Sequence, residues 1–535
     1  MAGRNRLPRG GRVDRSKPVS IAFNGRTLTG FAGDTVASLL IAHDIHFVGR
    51  SFKYHRPRGF LSHGSDEPNA LLSVDRGPGK IDPNNRATVA EARDGLVTHS
   101  QNHWPSLEFD VGAINDVLSP VFVAGFYYKT FMWPRRFWDS VYEPKIRAAA
   151  GLGRAPTEPD ADRYANRHAH CDVLVVGAGP AGLAAALAAS DTGKRVIFAD
   201  EQAEMGGTLL HDRTSLIDGK AAQEWMAEAL AELRARSNVT LLPRTTAFGY
   251  YNHNHVALAE RVTDHLADAP AHLPRERLWQ VRAGEVVLAT GAHERPLVFA
   301  DNDRPGILLA ESVRAFVNRY AVAPGRRIVF VTNGASAYAA ALDAADAGLD
   351  VTLVDIRPES DCGPELAALR AKGVPALTGH TVLAATGTRR VTGLAVAPVS
   401  PEGKIGARKN LAADCVGMSG GWTPSVHLFS QSRGKLRFDP ALDAFVPDQP
   451  VQATRSAGAA NGRYDLSDIL AEGFAAGSAA TGGSASRTFA ATPTPTGFLP
   501  VRVLPTDADP ARIKAFIDFQ NDVTAKDIHL AVREG

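Results

Sequence analysis

Cysteine is scarce in this chain: the 535 residues hold three, Cys171, Cys362 and Cys415. They are too few and too scattered for a disulfide framework or a zinc site. An iron–sulfur cluster needs cysteine thiolates, so the expectation is a chain with no iron–sulfur cluster. A charge surplus is missing as well. Lys and Arg number 59 against 57 Asp and Glu, a formal net charge of +2, which gives nucleic acid no electrostatic claim as a partner. No stretch approaches the roughly 18 apolar residues that a membrane helix requires. The first 17 residues carry six Lys or Arg against Asp14 alone and lack the apolar core of a signal peptide. A cytoplasmic protein is expected, without membrane or nucleic-acid partners, opening on a disordered basic leader over residues 1–17. His168, His170 and Cys171 lie close in sequence but have no further ligand at suitable spacing, so no metal site is expected.

What is present is ordinary globular material, 44% hydrophobic and 22% charged, enough for roughly three or four domains with large cores. The strongest signal begins at Cys171. Val173 to Val176 reads as a buried parallel strand and enters Gly177-x-Gly179-x-x-Gly182, which opens a helix to about Ser190. Gly177 permits the tight turn, Gly179 lets a pyrophosphate approach the backbone, and Gly182 lets helix and strand pack closely. Pro180 and Ala181 complete the helix start, where free N–H groups and the helix dipole favour phosphate. A second strand ends at Asp200 and Glu201, 23 positions after Gly177, near the place where an acid meets a ribose. Gly206, Gly207 and Thr208 follow as a small-residue loop, and the strand from Glu285 ends in Ala289-Thr290-Gly291. These residues together predict a dinucleotide site.

Around it, the order of signals predicts several parts. Val19 to Phe31 reads as a hairpin turned at Asn24-Gly25, followed by a helix, within a β-grasp module over 18–100. The basic, aromatic run Ser51 to Gly59 reads as a solvated loop in preference to an anion or partner contact. Phe126 to Trp138 concentrates aromatic residues within a connecting segment over 101–165, which predicts a subunit interface. A first dinucleotide-binding domain is assigned to 166–297 and 410–490, and an inserted Rossmann-like domain to 298–409. The turn of the inserted domain is degraded: Thr332, Gly334 and Ala337 stand where glycines are wanted, so that domain is expected to be kept for its packing. Residues 491–535 read as a linker and a short terminal module. The closing turn of the first domain is placed at Gly458-Ala459.

Gly177-x-Gly179-x-x-Gly182, Ala289-Thr290-Gly291, the degraded second turn, Ser419-Gly420-Gly421-Trp422 and Gly458 to Gly462 together resemble the α subunit of heterotetrameric sarcosine oxidase. Ser51 to Gly59 and Phe519 to Ile528 match the same family closely. The resemblance implies an α/β fold with two dinucleotide-binding domains of the FAD/NAD(P) superfamily and an N-terminal ferredoxin-like domain without cluster cysteines. It implies NAD bound in this chain by Gly177, Gly179, Gly182 and Asp200, and β, γ and δ partner subunits. In the assembled complex, it implies FAD and FMN, with FMN at the contact with the β subunit, where sarcosine is demethylated. Flavoproteins of the wider superfamily carry Gly-Asp at the closing turn, and Ala459 after Gly458 favours NAD over FAD. The family's α subunit continues into a folate-binding half, and on this resemblance that half is expected to be missing from the present sequence. No catalytic residue is assigned. Two alternatives remain open, a free-standing FAD/NAD(P)H oxidoreductase and a non-catalytic remnant.

Overall fold

A computed structural model describes residues 2–77, 79–119, 133–148, 151–495, 497–509 and 512–534. The chain divides into two compact units: unit 1 is residues 1–161, 296–420 and 497–535, and unit 2 is residues 162–295 and 421–496. The architecture is α/β, with two Rossmann-like sheets and an N-terminal β-grasp domain.

Unit 1 begins with a hairpin of β1 (Asp14–Phe23) and β2 (Arg26–Ala32). Its turn is Asn24-Gly25, both at positive φ, as a type I′ turn requires. Helix α1 (Val36–Ala42) starts in a capping box between Thr35 and Ser38, and all seven of its residues are buried. Strands β3 (Leu71–Asp75), β4 (Ile81–Arg86) and β5 (Leu96–Ser100) complete a sheet in the order β2-β1-β5-β3-β4, with β1 and β5 parallel. The basic leader is not free. Leu7 and Val13 are buried, Arg6 pairs with the buried Asp34 at 2.6 Å, and the Leu7 N–H donates to the Ala321 carbonyl at 2.8 Å. Two apolar side chains and one buried ion pair hold it, features that a charge count over 1–17 overlooks.

Unit 2 is organised around β6 (Tyr164–Val176), α2 (Pro180–Ser190) and β7 (Val196–Ala199). Helix α3 (Ala222–Ala235) leads to β8 (Val239–Leu242), and an antiparallel ribbon of β9 (Thr245–Tyr251) and β10 (His255–Arg261) leads to β11 (Glu276–Leu288). The sheet runs β8-β7-β6-β11-β10-β9. Its parallel core strands are buried on both faces, hence the continuous apolar runs in sequence.

The chain then re-enters unit 1. Strands β12 (Ile307–Leu309), β13 (Arg327–Thr332), β14 (Asp350–Asp355), β15 (Ala376–Thr378) and β16 (Cys415–Ser419) form a parallel sheet in the order β12-β16-β13-β14-β15. Helix α4 (Ala310–Asn318) follows β12, and α5 (Ser336–Asp346) follows β13. Strand β16 therefore belongs to this second sheet, and the chain returns to the dinucleotide half only at Gly421. The sequence reading places that return at 410, because a strand ending in small residues looks alike at the end of either sheet.

Back in unit 2, β17 (Thr454–Ser456) pairs parallel with β11, and α6 (Leu466–Ala480) lies against α2. A Cβ at Gly473 would run into the Ala181 carbonyl oxygen, and one at Gly477 into that of Ala185. Small residues one turn apart thus let α6 approach the helix that opens at the glycine turn. Phe489 is 3% exposed and meets the Trp225 ring edge-on. In the expected linker, in unit 1, Leu504 is 3% exposed and its N–H donates to the Val298 carbonyl at 2.9 Å. Of the aromatic run Phe126 to Trp138, residues 126–132 lie outside the described residues, and so does most of the interface expectation built on them.

Candidate dinucleotide-binding site

Strand β6 delivers the chain to Gly177, whose φ of +96° is a left-handed conformation that favours glycine. A side chain there would strike the Ala289 carbonyl, and one at Gly182 would strike the Gly177 carbonyl. Both glycines are therefore demanded by packing. Gly179 is different. Its backbone is extended (φ −74°, ψ −174°), and an added Cβ would meet nothing within 4 Å. Neither conformation nor neighbours require glycine there. Helix α2 starts at this point with Pro180 in its first turn and no side chain capping it. Its leading N–H groups face an open cradle that a Cβ would begin to fill, the arrangement in which helix N-termini take phosphate.

The other expected residues gather around the same turn. Asp200, at the end of β7, accepts the Ala178 N–H at 2.6 Å and the Gln202 N–H at 2.8 Å through its carboxylate. The carbonyl of Glu201 accepts from Arg261 at 2.9 Å. Gly206 precedes a short 3-10 turn, Gly207–Leu210, which includes Thr208, and a Cβ on Gly207 would come 2.7 Å from the Gly179 Cα. Thr290 donates its hydroxyl to the Ser425 carbonyl at 2.7 Å, while a Cβ on Gly291 would meet open space. Gly458, at φ +70°, stands where a Cβ would lie 2.8 Å from that of Ala181.

Sequence reasoning missed Glu472. Its carboxylate accepts the Gly458 N–H at 2.7 Å and the Asn461 side-chain amide at 2.7 Å. The closing turn lacks an acid at Ala459, yet α6 brings one to it from below. A single acid beside Gly473 on a helix of small residues was the available signal, and only the fold connects it with residue 458.

The chain has known relatives. Residues 171–447, just over half of the chain, match the family model described as pyridine nucleotide-disulphide oxidoreductase. The chain belongs to that family. The chain is 46% identical, over 99% of its length, to sarcosine oxidase subunit alpha of Rhizobium meliloti (strain 1021), covering 53% of that protein. It is 37% identical, over 98% of its length, to sarcosine oxidase subunit alpha of Corynebacterium sp. (strain P-1), covering 50% of that protein. The chain thus spans about half the length of these curated relatives. A solved L-proline dehydrogenase from P. horikoshii shares the fold, with a TM-score of 0.57 and 18% identity over 88% of this chain and 75% of that one. All three thiols of the chain are free. Burial pushes Cys171 up to about 12 and also raises Cys362 and Cys415, which makes them poor nucleophiles.

A second family model, described as a 2Fe-2S iron-sulfur cluster binding domain, matches residues 16–103. This corrects the cofactor expectation, which set the chain apart from iron–sulfur proteins on its cysteine count. Within the matched residues, the loop from Phe60 to Leu71 holds Ser62, Glu67 and Ala70, all buried. The matched residues contain no cysteine, and among the described residues no group of three or more His, Cys, Asp or Glu could hold a metal ion. This donor set does not fit a thiolate-held cluster, and no chemistry below passes through one.

At the centre of that loop is Glu67. One carboxylate oxygen accepts the Leu61 and Ser62 N–H groups at 2.7 and 2.8 Å, and the other accepts those of Asn69 and Ala70 at 2.7 and 3.1 Å. Burial pushes its pKa up to about 7, against the opposing pull of these four donors. A carboxyl raised in the folded state stabilises fully below its unfolded value of 4.5 and loses that contribution as pH rises through about 7. At pH 8 the loss is expected to be about 3 kcal/mol. Thermal melts at pH 5 and pH 8 should show this part of the slope in the wild type and not in Glu67→Gln. An equal slope in both would contradict it.

The run Ser51 to Gly59 is corrected as well. Arg56 and Arg58 are 4% and 1% exposed. Arg56 bonds Asp303 at 2.7 Å and Asp301 at 2.6 Å, and Arg58 pairs with Asp303 and Asp522. The loop is basic because it must neutralise buried aspartates that lie some 250 and 460 positions further along the chain, which local sequence does not reveal.

Proposed function

We propose that this chain is the NAD-binding, α-type subunit of a complex that demethylates sarcosine oxidatively to glycine. The observation that carries this reading is the alignment with proteins named sarcosine oxidase subunit alpha, which extends through both units. NAD would be held with its pyrophosphate on the Gly177 to Gly182 backbone and its ribose on Asp200. Glu472 would support it indirectly, by fixing the closing turn at Gly458. When bound, NAD offers a nicotinamide that can take up a hydride, and this reading gives it a structural role. The flavin chemistry is assigned to a β partner, with FAD there, FMN at the contact between the two subunits, and γ and δ subunits completing the complex.

A run of apolar side chains on unit 1 suits a subunit contact: Trp104, Phe109, Ile114 and Val117 are 70%, 69%, 59% and 78% exposed, far more than isolated surface apolar residues need. Co-expression with β-, γ- and δ-type subunits tests the whole reading. A complex that purifies intact and forms glycine from sarcosine is expected. Val117→Glu is expected to weaken assembly at least about tenfold, a cost near 1.4 kcal/mol. A chain that stays alone, carries stoichiometric FAD and oxidises NADH would overturn the proposal.

A further inference from the structure

In unit 1, β13, the turn at Asn333 to Ala335, α5 and β14 repeat the strand, turn, helix and strand order of a dinucleotide site. The chain itself fills the turn. The Ala335 N–H donates to the Gly497 carbonyl at 2.8 Å, and the Leu499 N–H donates to the Asn333 carbonyl at 2.7 Å. The side-chain amide of Asn333, which is fully buried, donates to the carbonyls of Leu499 and Val501, both at 2.9 Å. A Cβ on Gly334 would lie 2.8 Å from that of Phe498. The approach open at Gly179 is thus closed here by backbone.

Two further groups at this turn are also taken. The Gly334 N–H donates to the Thr332 hydroxyl at 3.0 Å. Asp355, the acid at the end of β14, is 0% exposed and accepts from the Tyr338 hydroxyl at 2.8 Å and from Arg357 at 2.7 Å. Arg357 in turn donates to the Gly497 carbonyl at 3.2 Å, which ties the acid to the same segment.

We propose that residues 497–501 are a built-in strap that occupies the second dinucleotide turn, so that unit 1 takes up no nucleotide. The inference stands apart from the reading of unit 2. The test uses the full chain carrying Gly179→Val, so that the first turn is silent, with hydrogen exchange followed at Ala335 and Leu499. Exchange roughly 100-fold slower than in unstructured chain is expected, unchanged by millimolar NAD or NADP. Unprotected amides at either position, or a change in their exchange on adding nucleotide, would overturn the proposal. Phe498→Gly combined with Leu499→Gly should speed exchange at Ala335, and no acceleration in that folded variant would also count against it. Loss of the unit 2 site alone would leave all these rates untouched, so the two readings fail separately.

Discussion

Gly179→Val is expected to empty the dinucleotide site while leaving the fold standing. The backbone at 179 is extended and its Cβ direction is open, so valine costs the folded chain little. The same side chain occupies the space in front of α2 where phosphates would approach. Affinity for NAD should fall at least about 100-fold, or about 2.7 kcal/mol, with circular dichroism unchanged and a melting temperature equal to that of the nucleotide-free wild type. Gly182→Ala is the contrast, since its Cβ would collide with the Gly177 carbonyl. That backbone cannot yield without moving the turn, and a loss of about 3 kcal/mol in stability is expected. Calorimetric titration beside thermal melts separates the two outcomes. Retention of full NAD affinity in Gly179→Val would sink the assignment.

Arg58→Ala should be the most damaging single change outside that site. Arg58 is 1% exposed and Asp303 and Asp522 are buried with it. Burial pushes the Asp303 carboxyl up, but Arg58 and Arg56 outweigh it and hold it well below the usual carboxylate range. Asp522 also accepts the Lys53 and Tyr54 N–H groups at 2.8 and 2.9 Å, so it anchors the whole loop. Removing Arg58 leaves the buried Asp522 carboxylate without its guanidinium partner, which costs about 3–5 kcal/mol. Urea denaturation of the wild type and the variant measures it, and a change below about 1 kcal/mol would mean that the network contributes little. Because the Asp303 pKa is depressed, its contribution is present above the unfolded carboxylate value near 3.8 and is lost as pH falls further.

The glycine turn, its strands and the following acid were legible because each depends on neighbours a few residues away. A lone Gly at 179 reads the same whether backbone or ligand requires it, and only the open Cβ direction separates the two. What could not be read were pairings across hundreds of positions: Arg58 with Asp522, Leu7 with Ala321, Asn333 with Leu499. The charge run at Ser51 to Gly59 looked solvated because its aspartate partners are remote in sequence. The N-terminal module was recognised as β-grasp from its hairpin and helix and as ferredoxin-like by resemblance, while the cofactor expectation rested on the cysteine count alone and is corrected by the family match over residues 16–103. Glu472 went unnoticed for the same reason as the strap: the turn it serves is formed by a different part of the chain.

The central claim is that the Gly177 to Gly182 turn holds one NAD in this chain. The most direct measurement is to denature the purified chain and identify and count the nucleotide released by mass spectrometry. One NAD per chain is predicted, falling to none in Gly179→Val. Stoichiometric FAD in its place, two nucleotides per chain, or NAD retained by the variant would contradict the account.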